Sequence, residues 1–260
     1  DKLVTGVQTC ALPILMDALA KDDPLYLEAA RMLFNATILS GDQMLFERVA
    51  RLLVDLTSDP KEKEALYLRW IGNRMQVSSY RETAELMQEA ITRMPEQADS
   101  RGFGFMRADV ARKTLENPVW FQEYGALHPE LPTNALRAAI SADAMQWLEQ
   151  KIRVDPQLRS ECYFWMARLQ ESSGNRDDAR KYIRLYLKTE PETHFRDALL
   201  MTVRLSCQDG DPEAADERMR VFTARYGLDD ESEAQLLKLA ELFEAQGKLA
   251  QAYETLGEAF

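Results

Sequence analysis

Gly174, Gly210 and Gly247 lie 36 and 37 residues apart, and they constrain this chain more than any other feature. Ala179, Ala215 and Ala252 follow them, each five residues on, at the same 36 and 37 spacing. A ladder of small residues with a constant period in this range marks a repeated supersecondary unit. One unit of this length cannot bury its own apolar face, so it covers that face by stacking on its neighbour. The spacing therefore predicts stacked helix pairs, not a globular domain folded around one pocket.

Residues 160–193 form the clearest unit. Tyr163, Met166, Ala167, Leu169 and Gln170 mark one face of a first helix. Ser172, Ser173, Gly174 and Asn175 supply a turn. Asp177 and Asp178 then place carboxylates at the start of a second helix, where they favour its dipole. Ala179, Ile183 and Tyr186 continue at helical spacing, and Pro191 closes the unit. Small residues at Ala167 and Ala179 let the paired helices approach, while Tyr163 and Ile183 fill the gap to the next pair.

This pattern resembles the tetratricopeptide repeat, a helix-turn-helix of about 34 residues. Gln170 and Tyr186 depart from it, standing where the family has an aromatic and a small residue. The frame continues over residues 196–229 with Leu199, Val203, Gly210, Ala215, Met219 and Phe222, and Gly227 stands where proline would close the unit. It continues again over 233–260 with Leu236, Leu239, Ala240, Phe243, Gly247, Ala252, Leu256 and Ala259. Weaker copies fall at 27–60 (Ala30, Leu33, Phe34, Gly41, Ala50, Leu53, Pro60) and at 64–97 (Tyr67, Trp70, Ile71, Tyr80, Met87, Ala90, Pro95). The resemblance implies an all-α fold, a right-handed α–α superhelix of antiparallel helix pairs.

Four segments are expected. Val4 to Ile14 resembles the in-frame translation of a sequencing adapter, so residues 1–14 are read as an artefact of an assembled, bacterial-type reading frame. Residues 15–97 hold degenerate repeats. Residues 98–159 are diverged: a helix at 103–115, a Pro-rich loop at 118–132 carrying Trp120, Phe121 and Tyr124, then a helix or broken helix at 134–154. That stretch reads either as two diverged repeats or as a boundary between two repeat blocks. Residues 160–260 hold three repeats, the last ending inside its second helix, so the chain is read as a fragment with its true start missing.

Composition removes several functions. The net charge of −11 has acid and base interleaved, which leaves no basic face for nucleic acid. No run of about 18 apolar residues occurs, so no transmembrane segment is expected. Cys10, Cys162 and Cys207 form neither a metal motif nor a disulfide framework. Gly102-Phe-Gly104 lacks the third glycine and preceding strand of a nucleotide loop. His128 and His194 sit beside Pro-rich breaks without a second ligand nearby, and Asp229-Asp230-Glu231 reads as a helix cap. No enzyme activity, cofactor or metal is expected.

The resemblance also implies a groove lined by the second, fifth, ninth and twelfth positions of each first helix. Carried over, these are Glu161, Phe164, Arg168 and Glu171, then Asp197, Leu200, Arg204 and Cys207, then Ala234, Leu237, Glu241 and Glu244. The Lys and Asn set with which some members clamp a chaperone tail is missing. Phe164, Leu200 and Leu237 would form an apolar stripe beside Arg168 and Arg204, with Glu241 further along, to bind a partner peptide with an apolar anchor and an acidic group. The alternative is an ordinary exposed face with local ion pairs among Glu161, Arg168 and Glu171. The implied function is a non-catalytic scaffold for protein or peptide partners of unknown identity, cytoplasmic or periplasmic. Two alternatives stand beside it: an accessory protein of cell-envelope assembly or secretion, and the docking region of a larger enzyme.

Overall fold

The structure, a computed structural model, describes residues 23–189, 191 and 193–259. The artefact reading of residues 1–14 lies outside the described residues. Among those described there are thirteen α-helices, two short 3-10 turns and no strand. The chain divides into two compact units at Leu136 and Arg137.

The first unit contains Pro24–Ser40 (α1), Gln43–Leu56 (α2), Pro60–Val77 (α3), Tyr80–Arg93 (α4), Arg101–Glu116 (α5) and Pro118–Leu127 (α6). Short polar side chains start most of them. Asp42 accepts from Leu45 N at 3.0 Å, Asp59 from Glu62 N at 3.2 Å, and Ser79 forms a reciprocal capping box with Glu82. The helices pack as the pairs α1/α2, α3/α4 and α5/α6, with α5 also on α3 and α6 on α4.

The Pro-rich loop expected at 118–132 is corrected here: Pro118–Leu127 is helical. Asn117 caps it, accepting from Val119 N at 2.9 Å and Trp120 N at 3.3 Å, and Pro118 occupies the first helical turn. Proline ends a helix only from its interior; at the first position its missing N–H costs nothing. The aromatics serve packing. Trp120 Nε1 donates to Ser78 O at 3.2 Å, and Glu123 accepts from Tyr80 N at 2.7 Å, so α6 caps the start of α4. Gly102 lies close to α3, where a Cβ would meet the side-chain ends of Glu64 and Leu68.

The first copy of the repeat departs from the small-residue rule in an instructive way. In the frame of residues 27–60, Phe34 and Phe46 occupy the places that Ala167 and Ala179 hold in residues 160–193. Both phenylalanines are buried and stack with centroids 5.0 Å apart. Two flat rings stand where the later unit has two small residues, and their stacking keeps the contact apolar.

Thr133–Val154 (α7) carries the chain through the division, unbroken over 22 residues. The second unit then holds Arg159–Ser173 (α8), Arg176–Leu187 (α9), Phe195–Gln208 (α10), Pro212–Tyr226 (α11), Asp230–Ala245 (α12) and Leu249–Ala259 (α13). The helices pair as α8/α9, α10/α11 and α12/α13, and the first helices α10 and α12 touch each other.

Each pair in this unit turns in the same way. Gly174, Gly210 and Gly247 have φ of 86°, 72° and 75°, the left-handed region that glycine reaches without strain. The residue after each glycine donates back to a carbonyl in the last helical turn: Asn175 N to Gln170 O at 2.8 Å, Asp211 N to Ser206 O at 3.1 Å, Lys248 N to Phe243 O at 2.9 Å. The glycines donate to Glu171, Cys207 and Glu244 at 2.9, 3.1 and 2.8 Å. These are three copies of one C-terminal capping motif. Ala179, Ala215 and Ala252, five residues on, are all buried in the helix contacts.

Candidate functional site

The apolar stripe expected along the first helices is corrected by this packing. Phe164 is 2% exposed and Leu200 0%. Phe164 lies in a core with Ala167, Ala179, Ile183, Tyr186, Ala198, Met201 and Leu205. His194 closes over it: the two rings are parallel within 2° with centroids 4.4 Å apart. His194 reaches that position from a left-handed backbone, φ 57°, just before α10. Leu200 belongs to the core formed with Phe222, Leu236 and Leu239. Only Leu237 of the three stays in solvent, at 39%.

The expected pair of partner-seeking arginines is corrected too. Arg204 donates from Nε to Glu171 Oε1 at 2.9 Å and from Nη2 to Glu171 Oε2 at 3.1 Å, with Glu231 at 3.4 Å. Its charge is spent within the chain. Arg168 carries its guanidinium 5.8 Å from the Phe164 ring centroid. Glu171 thus pairs across helices with Arg204, and Glu161 faces His194 Nε2 at 4.0 Å.

Two of the expected residues do meet. Arg204 and Glu241 line one cleft of about 390 Å³ between α10 and α12. From α10 it takes Arg204, Cys207 and Gln208; from α12 it takes Gln235, Lys238, Glu241, Leu242 and Ala245. These two helices are the first members of successive pairs, and α10 is held in register with α8 by the Arg204–Glu171 fork. Lys238 and Glu241 are exposed and put both signs of charge at the cleft. Burial pushes the Cys207 thiol up from its ordinary pKa, with Lys238 pulling weakly the other way. A shift in that direction disfavours the thiolate, so Cys207 serves the cleft as part of its wall.

Gln235 is the residue that sequence reasoning missed. It is 5% exposed, and its Oε1 is buried without a hydrogen-bond partner. An unmade hydrogen bond at a buried amide costs roughly 1–3 kcal/mol. The signal was present: Gln235 sits one helical turn from Ser232 and Leu239, on the inward face of α12, where an amide is out of place.

Among the described residues no group of three or more His, Cys, Asp and Glu could hold a metal ion, and no helix is long and apolar enough to cross a membrane. His128 caps α6 and faces Glu130 at 3.3 Å.

Comparison with known proteins gives one family. Residues 161–193, spanning α8, the Gly174 turn and α9, match the tetratricopeptide repeat model. No curated protein matches the chain.

Proposed function

We propose that this tetratricopeptide-repeat chain is a non-catalytic protein-interaction scaffold, and that its second unit holds a peptide segment of a partner in the cleft between α10 and α12. The repeat match supports the general reading, since repeats of this family are binding modules. The cleft supports the specific one. It is walled by two helices, carries exposed Lys238 and Glu241, neither with an ion-pair partner among the described residues, and has apolar surface from Leu242 and Ala245.

The observation that carries the proposal is the unpaired Oε1 of Gln235. A buried acceptor left without a donor is retained at a cost to stability. A peptide offers backbone N–H donors at regular spacing, and one of them would satisfy Gln235 Oε1. Replacing Gln235 with Leu should therefore leave the fold as stable or more stable, and weaken peptide binding.

Selecting a random peptide library on the intact protein tests this. Peptides recovered should lose binding on the order of tenfold on Gln235→Leu and more on Ala245→Trp, which fills the cleft. Failure to select any saturable peptide, or peptides indifferent to Ala245→Trp, would remove the cleft from the function.

A further inference from the structure

A second cavity of about 280 Å³ lies on the other side of α10. Residues 204, 207 and 208 face the peptide cleft, whereas 202, 205, 206 and 209 fall about half a turn around the helix. This cavity is bounded by α9, α10 and α11, and three arginines line it: Arg180 and Arg184 from α9, Arg218 from α11.

The three are not equivalent. Arg180 is satisfied on two sides, donating from Nη1 to Asp177 at 2.9 Å and from Nη2 to Asp209. Its Nε–H is buried and has no acceptor. Arg184 and Arg218 have no ion-pair partner among the described residues. The hydroxyls of the cavity wall do not compete as donors. Thr202 donates to Leu199 O at 2.7 Å and Ser206 to Thr202 O at 3.0 Å, both back into α10. What the cavity offers a ligand is guanidinium N–H.

Two acids face the same space. Asp209 is held by Arg180, and Asp211 accepts from Ala214 N at 3.0 Å as the cap of α11. They leave the wall positive by one charge and repel an anion placed near the α10–α11 turn. An anion is favoured beside Arg184 and Arg218, one on each flanking helix. Guanidinium forks match the oxygen spacing of a tetrahedral oxyanion, and two of them balance a dianion.

We propose that this cavity is a binding site for a phosphate group, free or carried as a small monoester, held by Arg184 and Arg218 with the Nε–H of Arg180 as a further donor. The site is separate from the peptide cleft, and failure of either leaves the other standing.

The test is calorimetric titration of the full chain with inorganic phosphate near neutral pH, ionic strength being held constant with sodium chloride. Saturable one-site binding is expected, weakened at least tenfold by Arg184→Gln and by Arg218→Gln. Arg220→Gln, an exposed arginine on α11 paired with Asp216, should bind as the parent does. If the site variants fold poorly, the arginine side-chain Nε–Hε resonances of the unaltered protein decide. Those of Arg180, Arg184 and Arg218 should move on titration and the others should not. Equal binding of O-phosphoserine would assign the site to monoesters; binding of inorganic phosphate alone would assign it to the free ion. A non-saturating response, equal binding by the Arg184→Gln and Arg218→Gln variants, or an equal response to acetate would overturn the proposal.

Discussion

Arg204 reaches from α10 to α8 and grips Glu171 with two parallel hydrogen bonds, 2.9 and 3.1 Å long. The first unit uses the same device. Arg74 of α3 holds Glu47 of α2 through Nε at 2.7 Å and Nη2 at 2.8 Å, and Trp70 Nε1 adds a third donor at 2.8 Å. In both units a bidentate fork ties a first helix to the pair before it. Residues that a groove reading assigns to partners are here part of the stacking contact.

Glu171→Gln should therefore destabilise the second unit. Arg204 and Glu171 expose only 20% and 13% of their side chains, so the loss falls between that of a surface pair and a buried one, about 1–3 kcal/mol. A double-mutant cycle with Arg204→Gln isolates the pair. A coupling near zero would show that the fork is ornamental.

Two glycine substitutions should have opposite signs. Gly210→Ala places a Cβ in open space but on a backbone with φ 72°, so it should cost roughly 1 kcal/mol from conformation alone. Gly72→Ala, inside α3 and also in open space, should stabilise by roughly 0.5–1 kcal/mol. Denaturant midpoints of the two variants read this directly; a shift in the same direction for both would contradict the turn geometry.

Ala215 is fully buried against α10, so Ala215→Leu overpacks the α10/α11 contact, at roughly 1–3 kcal/mol. Stability in a stacked array is a sum of neighbour terms, so the damage should be local. Hydrogen exchange should quicken in α10, α11 and α12 while α1 to α4 keep their protection. Uniform loss along the whole chain would indicate one cooperative core.

Acid should loosen the start of α12 at a defined point. The Ser232 backbone N–H, and after it the Arg196 guanidinium, hold the Asp229 carboxyl down at a pKa of about 2. A depressed carboxylate stabilises the fold above its unfolded pKa, 3.8, and that contribution fades as pH falls towards about 2. Exchange at the first turn of α12 should accelerate over that window in the parent, and Asp229→Asn should abolish the pH dependence there. An unchanged profile in the variant would assign the acid sensitivity to other groups.

The all-α repeat fold was legible because it rests on local rules. Left-handed glycines at Gly174, Gly210 and Gly247 and buried alanines five residues later follow from turn chemistry and close packing, both written in short stretches of sequence. The helix at Pro118–Leu127 was not, because Asn117-Pro118 reads equally as a stop or a start, and only the contacts of Trp120 and Glu123 with the start of α4 decide. Of the candidate cleft, two lining residues stood out in the sequence. Arg204 and Glu241 do share a cleft, but a helical position implies exposure only if nothing folds over it. His194, arriving from the linker to cover Phe164, and Leu236 and Leu239, arriving to bury Leu200, are non-local. Gln235 is illegible for the opposite reason: it breaks the apolar pattern of its helix, and a repeat frame is defined by the residues that keep the pattern.

The shared turn has a consequence for how such a chain changes over generations. Because the backbone bends identically at Gly174, Gly210 and Gly247, a crossover between the coding stretches of any two would delete or duplicate one whole helix pair and leave a junction of native geometry. A breakpoint inside a helix would instead mismatch two buried faces. Such an array can thus lengthen or shorten by one helix pair at a time without a change in its turn geometry.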